Sequence, residues 1–353
     1  MKERVHDDFI TACEKNDLLS IVDLFSKMMV VGYGIFTNRK HHALSVAEDM
    51  EIMEIVAKSK FSVAECLFDC SKDRYYKELF VNSFCTYIGT VGGLELFKRV
   101  ISSKMSHFMR EEGITVGCFQ EACFYNHTDF VKFLLTSKDM PVKCDLLYNG
   151  SLALSTAISQ NNNELAKYML TSPDLKVHAN PHDLFNESFS HVCNNHNIEM
   201  LKFLFEEKDF GFDINNVSYL ITACASGFFD GVEYILTSPG CTIDLNSFSS
   251  PLLSAINIGD QKIVEFLLTS QDLKVHSNIY APGGLCFKTV CLLDDLDLLE
   301  YFIFEYKVKE TLDIKGIIED FPEVKKMFKK RRLYEKMNRE ITGSSDINNR
   351  LKL

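Results

Sequence analysis

The sequence predicts an all-α chain, organised as an α-solenoid of about eight or nine helix-turn-helix repeats with a C-terminal capping helix. Three observations predict this fold class. A sequence unit recurs along the chain, both helices of each unit carry an apolar stripe, and one fixed position holds residues that tolerate a left-handed backbone. The 353 residues are 46% apolar and 25% charged, which is typical of a globular protein.

The repeat is clearest in four segments that share an apolar pair followed by Thr-Ser. They are FVKFLLTSKD from Phe130, LAKYMLTSPDLKVHAN from Leu165, GVEYILTSPG from Gly231 and IVEFLLTSQDLKVHSN from Ile263. A shorter apolar segment precedes each of them. Each unit is therefore predicted to form a short first helix, a turn and a longer second helix.

A small or apolar anchor residue in the first helix sets the register of each unit. The anchors are Ala12, Ala47, Ile88, Ala122, Ala157, Val192, Ala223, Ala255 and Val290, about 35 residues apart on average. Apolar residues recur three positions before the anchor, and nine and twelve positions after it, with Ser59 as the exception. Steps of three residues keep one helix face, so both helices should bury a stripe against their neighbours.

The position four residues after the anchor is predicted to end the first helix in a left-handed conformation. Leaving the second unit aside, the residues there are Asn16, Gly92, Asn126, Asn161, His196, Gly227, Gly259 and Asp294. Glycine has no Cβ penalty at positive φ, and Asn, Asp and His tolerate that region best among the other residues. The second unit, about residues 41–60, has Glu51 at this position, so its regularity stays open.

At this spacing the chain resembles the ankyrin-repeat family over roughly residues 5–310. SPLLSAINIG at residues 250–259 is similar to the TPLHLAA opening and the following glycine of that family, and GFDIN at residues 211–215 is similar to its hairpin loop. Most units lack the Thr-Pro pair, and several carry extra residues after the second helix. The resemblance implies an L-shaped stack of helix pairs with projecting loops and a concave binding face.

The predicted domain organisation follows from where the repeat holds. The array covers residues 1–310, with an irregular segment at 61–80 that is either an insertion or a displaced helix pair. Residues 311–342 are predicted to form a capping helix region, in which Pro322 suits a first helical turn. Residues 343–353 are predicted to be a disordered tail.

No motif for catalysis or cofactor binding stands out. The phosphate-loop, dinucleotide-binding and GxSxG patterns are missing, and Cys66/Cys70 and Cys118/Cys123 lack the spacing of paired zinc ligands. His178 and His276 recur at one place in LKVHAN and LKVHSN, which favours a hydrogen-bonding role in the loop. Five cysteines follow an anchor directly and are predicted to be small buried apolar residues: Cys13, Cys123, Cys193, Cys224 and Cys291. We therefore expect no enzyme, cofactor or metal.

Charge is unevenly distributed along the chain. Residues 321–353 contain ten Lys/Arg and four Asp/Glu, whereas the whole chain is −11, so the preceding 320 residues carry −17. An acidic body predicts a partner with a basic surface and disfavours nucleic acid. No apolar stretch reaches the ~20 residues of a bilayer span, so no membrane contact is expected. Twelve cysteines without an export signal favour a reducing, cytoplasmic location.

The predicted function is non-catalytic protein binding through the concave face and hairpin loops. Tyr125 is the foremost candidate, because aromatic side chains dominate binding energies at interfaces. Contact residues are expected one position before or three positions after the anchors, at Glu121, Tyr125, Gln160, His191, Asn195 and Ile258.

A basic patch is formed by Lys329, Lys330, Arg331 and Arg332. It is a solvated helix end, a docking site for an acidic partner or another copy, or a nuclear-targeting or nucleic-acid contact. Three alternatives to simple partner binding stay open. They are homo-oligomeric assembly through the basic C-terminal helix, an effector or viral inhibitor that sequesters a host or defence factor, and a ligand or enzyme pocket at residues 61–80.

Overall fold

The computed structural model of this protein contains only helices, turns and loops in the residues that it describes. Those residues are 2–21, 23–24, 53–70, 74–110, 113–142, 144, 146, 152–246, 251–280 and 284–350. Because no strand occurs among them, the predicted all-α class is confirmed for this part of the chain. The anchor Ala47 and most of the second predicted unit lie outside the described residues.

The chain divides into two compact units, residues 1–191 and residues 192–353. The boundary falls inside a helix that is counted here with the first unit. The α-helices of the first unit are α1 (Lys2–Lys15), α2 (Phe61–Cys70), α3 (Arg74–Val91), α4 (Leu94–Ile101), α5 (Phe119–Phe124), α6 (Thr128–Thr136), α7 (Leu152–Ser159), α8 (Asn163–Thr171) and α9 (Asp183–Asn194). A 3-10 helix at Lys104–Phe108 and a π-helix at Gly113–Cys118 connect α4 to α5.

The second unit continues the alternation of short helices. Its α-helices are α10 (Ile198–Glu206), α11 (Val217–Ala225), α12 (Phe229–Thr237), α13 (Pro251–Ile258), α14 (Gln261–Thr269), α15 (Leu285–Leu293), α16 (Leu296–Glu300), α17 (Leu312–Asp320) and α18 (Pro322–Arg350). A π-helix at Tyr301–Glu305 extends α16. Among the described residues, no helix has the length and apolar character needed to cross a lipid bilayer.

Helix pairs contact the next pair along the chain within each unit. In the second unit α11, α13 and α15 pack in chain order, and so do α10, α12 and α14. In the first unit α3, α5 and α7 pack in the same way. A core formed by neighbours in sequence follows from the apolar stripe on each helix, because one short pair cannot bury its stripe alone.

The predicted register of the core is confirmed. Every described anchor is buried, and so is every described residue three positions before or nine positions after an anchor. The exception in the pattern, Ser59, is half-buried, and its single hydroxyl hydrogen is shared between two carbonyl acceptors, Cys13 at 3.0 Å and Ile55 at 2.8 Å from Oγ. A hydroxyl is tolerated there because it is hydrogen-bonded.

The position four residues after each anchor, where the first helix is predicted to end, is confirmed in detail. All eight residues predicted to adopt a left-handed backbone do so, with φ between 51° for His196 and 74° for Gly259. The residue that follows often caps the second helix, and Asn162, Asn197, Asp260 and Asp295 each accept a hydrogen bond from a backbone N–H three residues later at 3.0 Å. One short sequence signal therefore ends one helix and starts the next.

Segment 61–80, predicted as irregular, is helical outside residues 71–73, which the structure does not describe. It comprises all of α2 and the start of α3. Leu67 and Phe68 of α2 are buried, and the Phe68 ring meets the Phe108 ring edge-on at 5.1 Å between centroids.

The capping region forms two helices, and Pro322 begins α18 as predicted. Val324 and Phe328 are buried, and the Phe328 ring lies 6.1 Å from that of Phe287. The structure continues α18 to Arg350, beyond residue 342, where the sequence predicts that it ends.

The loops after the second helices are held by side-chain hydrogen bonds. The predicted role of the two loop histidines is confirmed, because Nε2 of His178 lies 2.9 Å from the Ser172 carbonyl and Nε2 of His276 lies 2.8 Å from that of Ser270. Asn246 connects two successive loops, since its amide donates to the His276 carbonyl at 3.3 Å and its oxygen accepts from Asn278 N–H at 2.6 Å.

Candidate functional site

The six predicted contact residues are divided between the two units. Glu121, Tyr125, Gln160 and His191 belong to the first unit, and Asn195 and Ile258 belong to the second. Tyr125 and Ile258 are the most open of them, with 49% and 55% of their surface exposed. The other four are half-buried.

Tyr125 belongs to an aromatic group at the turn after α5. Its ring packs edge-on against Phe124 at 5.1 Å and parallel to the His127 ring at 6.5 Å. His127 is fixed from the other side, because its Nε2 lies 2.9 Å from the Thr90 carbonyl. The turn therefore presents two exposed aromatic rings on a framework that is already ordered.

Phe124 is not among the contact residues that the sequence predicts, although it is 47% exposed. It lies two positions after the anchor Ala122, whereas the predicted contact residues lie one position before or three positions after an anchor. The available signal was the adjacent pair in CFYNH, because a helix that ends in a left-handed residue exposes its last side chains together.

The second unit has an apolar edge at equivalent positions. Ile258 and Leu293 both lie three positions after an anchor, and Leu292 lies two positions after one. Leu292 is 64% exposed, and Leu296 at the start of α16 is 63% exposed. We call Phe124 and Tyr125 in the first unit, and Ile258, Leu292, Leu293 and Leu296 in the second, the turn-edge residues.

His191 and Gln160 are less accessible than the turn-edge residues. His191 lies 3.6 Å from Glu187 in the same helix, with about a third of its side chain exposed (31%). The Gln160 backbone N–H donates to the Thr156 carbonyl at 3.1 Å, and Asn161 follows it in the left-handed conformation. Both residues thus have contacts within the chain, and they are weaker candidates than Tyr125.

A groove on the second helices of the second unit was not found from the sequence. It has a volume of about 660 Å³, and three exposed carboxylates and one lysine are among the residues that line it. The Lys202 ammonium lies 5.7 Å from the centre of the Tyr234 ring. Burial, and secondarily the charge of Glu206, raise the pKa of Tyr234. We call this groove the acidic groove. It is defined by Ile198, Lys202, Asp230, Glu233, Tyr234 and Asp272.

The predicted basic patch is partly neutralised within the chain. Arg332 Nε donates to Glu310 Oε1 at 2.9 Å, and Arg331 donates to the carbonyls of Val308 at 2.9 Å and Ile303 at 3.3 Å. Lys329 and Lys330 are exposed. The two arginines thus fasten α18, and the two lysines remain accessible to other molecules.

The cysteines that follow the anchors are buried, as predicted. Burial raises the pKa of the Cys13, Cys193 and Cys291 thiols to about 12, so they stay protonated near neutral pH and are poor nucleophiles. Cys66 and Cys70 are more open, but burial still raises the pKa of Cys70 to about 11. Among the described residues, no three His, Cys, Asp or Glu side chains converge in a geometry for a metal ion.

No family model matches the sequence, and no curated protein has significant similarity to it.

Proposed function

We propose that this chain is an ankyrin-like repeat array that binds a protein partner without catalysis. The observation that carries the proposal is the recurrence of exposed apolar side chains at one register position. Tyr125, Ile258 and Leu293 each lie three positions after a buried anchor and directly before a left-handed residue.

This arrangement suits binding for a physical reason. The side chains project from helix ends that are fixed by buried anchors and capped turns, so little conformational entropy is lost when a partner orders them. Exposed aromatic residues such as Phe124 and Tyr125 combine a large apolar area with few rotatable bonds. Recognition along successive turns is also what the resemblance to ankyrin repeats implies.

The partner is proposed to carry a basic surface next to an apolar patch. Residues 1–320 have a net charge of −17, and Glu121 lies one helical turn before Tyr125. Charges of opposite sign steer association and make it sensitive to salt, because the Debye length falls to ~3 Å at 1 M salt. Binding should therefore weaken as the salt concentration rises.

The test is co-purification on the immobilised full-length chain at low salt, followed by mass spectrometry. We expect a protein that is retained by the wild type and lost from the Phe124→Ala/Tyr125→Ala variant. Tyr75→Ala is the matched control, because Tyr75 is a similarly exposed aromatic residue (43%) on α3 in the same unit. Retention of the same proteins by all three chains, or of none by the wild type, would contradict the proposal.

A further inference from the structure

Over residues 322–339, where the structure describes the side chains, the buried residues of the C-terminal helix α18 lie on one side. Val324 and Phe328 are buried, and Arg331 on the same side donates to two backbone carbonyls. Since each residue of an α-helix turns about 100° from the last, Lys329, Leu333 and Met337 lie on roughly the opposite side. We call that side, with Lys329, Lys330, Leu333 and Met337, the outward face of α18.

The outward face combines positive charge with apolar surface. Leu333 is 60% exposed and Met337 is 47% exposed. Tyr334 beside them is 51% exposed, and the Lys330 ammonium lies 5.9 Å from the centre of its ring. A helix face of this kind fits an acidic groove that also offers apolar contacts.

The acidic groove has the complementary chemistry. Asp230, Glu233 and Asp272 supply carboxylates, while Tyr234 and Ile198 supply half-buried apolar surface. Among the described residues, none of α18 lines this groove.

The charges of the chain favour a second copy as the occupant. Residues 321–353 carry +6 and the preceding 320 residues carry −17. A nucleic acid or an anionic lipid surface would attract α18 but repel the acidic residues 1–320. In a second copy, those acidic residues themselves attract the positively charged α18.

We propose that the outward face of α18 docks into the acidic groove of a second copy of this chain. Lys329 and Lys330 then face the groove carboxylates, and Leu333 and Met337 cover Tyr234 and Ile198. The two surfaces differ, so the contact is heterologous. It adds copies head to tail unless two copies exchange their helices.

Sedimentation velocity of the full-length chain at low salt tests the proposal. We expect the wild-type sedimentation coefficient to rise with protein concentration. Lys329→Glu/Lys330→Glu and Asp230→Lys/Glu233→Lys should each weaken association by roughly tenfold or more. The mixture of the two variants should associate again, because the reversed helix of one meets the reversed groove of the other.

A matched control separates location from net charge. Lys176→Glu/Lys208→Glu changes the chain charge by the same amount as Lys329→Glu/Lys330→Glu, at exposed lysines outside α18 and the groove. This control should associate like the wild type, and circular dichroism should show equal helix content in all variants.

Several results would overturn the proposal. They are a wild type that stays monomeric at every concentration at low salt, reversal variants that associate like the wild type, and a mixture that does not associate. Loss of association by Leu333→Asp/Met337→Asp alone, with no effect of charge reversal, would show direct helix–helix pairing instead. Binding of the wild type to phosphatidylserine vesicles without self-association would show a lipid-binding helix.

Discussion

The carboxylate of Asp260 lies next to the turn at Gly227. A Cβ atom at Gly227 would come within 3.3 Å of Asp260 Oδ2, while Asp260 Oδ1 accepts the Ile263 N–H at 3.0 Å. The same relation recurs one pair later, where a Cβ at Gly259 would lie 3.2 Å from Asp295 Oδ2. The turn that ends one first helix is therefore covered by the residue that caps the second helix of the next pair.

Gly227→Ala is expected to destabilise the chain. The backbone there is left-handed, with φ of 66°, and an L-residue in that region costs about 1–2 kcal/mol. Urea denaturation followed by circular dichroism measures the loss. The control is Gly316→Ala in α17, where nothing lies within 4 Å of the new Cβ. That substitution should be neutral or stabilising, since alanine favours a helix over glycine. Equal effects of the two would contradict this account.

Asp260→Ala is expected to lower the free energy of unfolding by about 1 kcal/mol, because it removes the cap of α14. Asp260→Asn is the matched variant, since an amide oxygen can still accept the Ile263 N–H. Urea denaturation should rank the chains as wild type, then Asn, then Ala. If Asn and Ala are equally destabilised, the carboxylate acts by its charge and not as a cap.

Stability should fall at alkaline pH because of the buried thiols. Burial raises the pKa of Cys193 from 9.0 to about 12, so its proton leaves more readily in the unfolded chain. The contribution of this thiol to the free energy of unfolding is fully present below pH 9. It declines as pH rises towards about 12, by at most about 1.4 kcal/mol per pH unit. Urea denaturation between pH 7 and pH 10.5 should show a shallower decline for Cys193→Ala than for the wild type. Parallel curves would show that this thiol does not contribute.

Glu310→Ala should loosen α18 from the rest of its unit. Glu310 accepts two hydrogen bonds from Arg332 and lies 4.0 Å from Arg331, whose side chain is only 13% exposed. Since the Arg332 side chain is 57% exposed, losing these partners should lower the local stability of α18 by about 1 kcal/mol. Hydrogen exchange of the α18 amides is the measurement. Glu335→Ala is the control, because its side chain is 42% exposed and its pairing with Arg331 is worth less. Slower or unchanged exchange in Glu310→Ala would contradict the prediction.

Local features of the fold could be predicted from sequence because they depend on single residues. Asn, Gly, His and Asp at one spacing determine the eight left-handed turns, since few residues tolerate positive φ. Lys307 shows the limit, because it also has a positive φ of 55° and its residue type gives no signal. For segment 61–80 the sequence left an insertion and a displaced helix pair open, because the apolar residues there do not follow the repeat register.

The surfaces were harder to predict than the core. Tyr125 and Ile258 could be predicted because each lies three positions after a buried anchor. The acidic groove was not found, since Ile198, Asp230 and Asp272 are distant in sequence and meet only when successive second helices pack. The exposure of Leu333 was not predicted either, because an amphipathic pattern does not show where a helix leaves its neighbours.

The link from Asn246 to the loop at residues 276–278 has a consequence for how this protein could change in length. The same link joins Asn215 to Gly240 and Thr242 in the loop that follows it, so the contact recurs at two successive junctions between helix pairs. Duplication or loss of one complete helix pair with its loop would recreate this contact at the new junction. Loss of only half a helix pair would leave the asparagine amide without its carbonyl partner, and we expect such deletions to misfold.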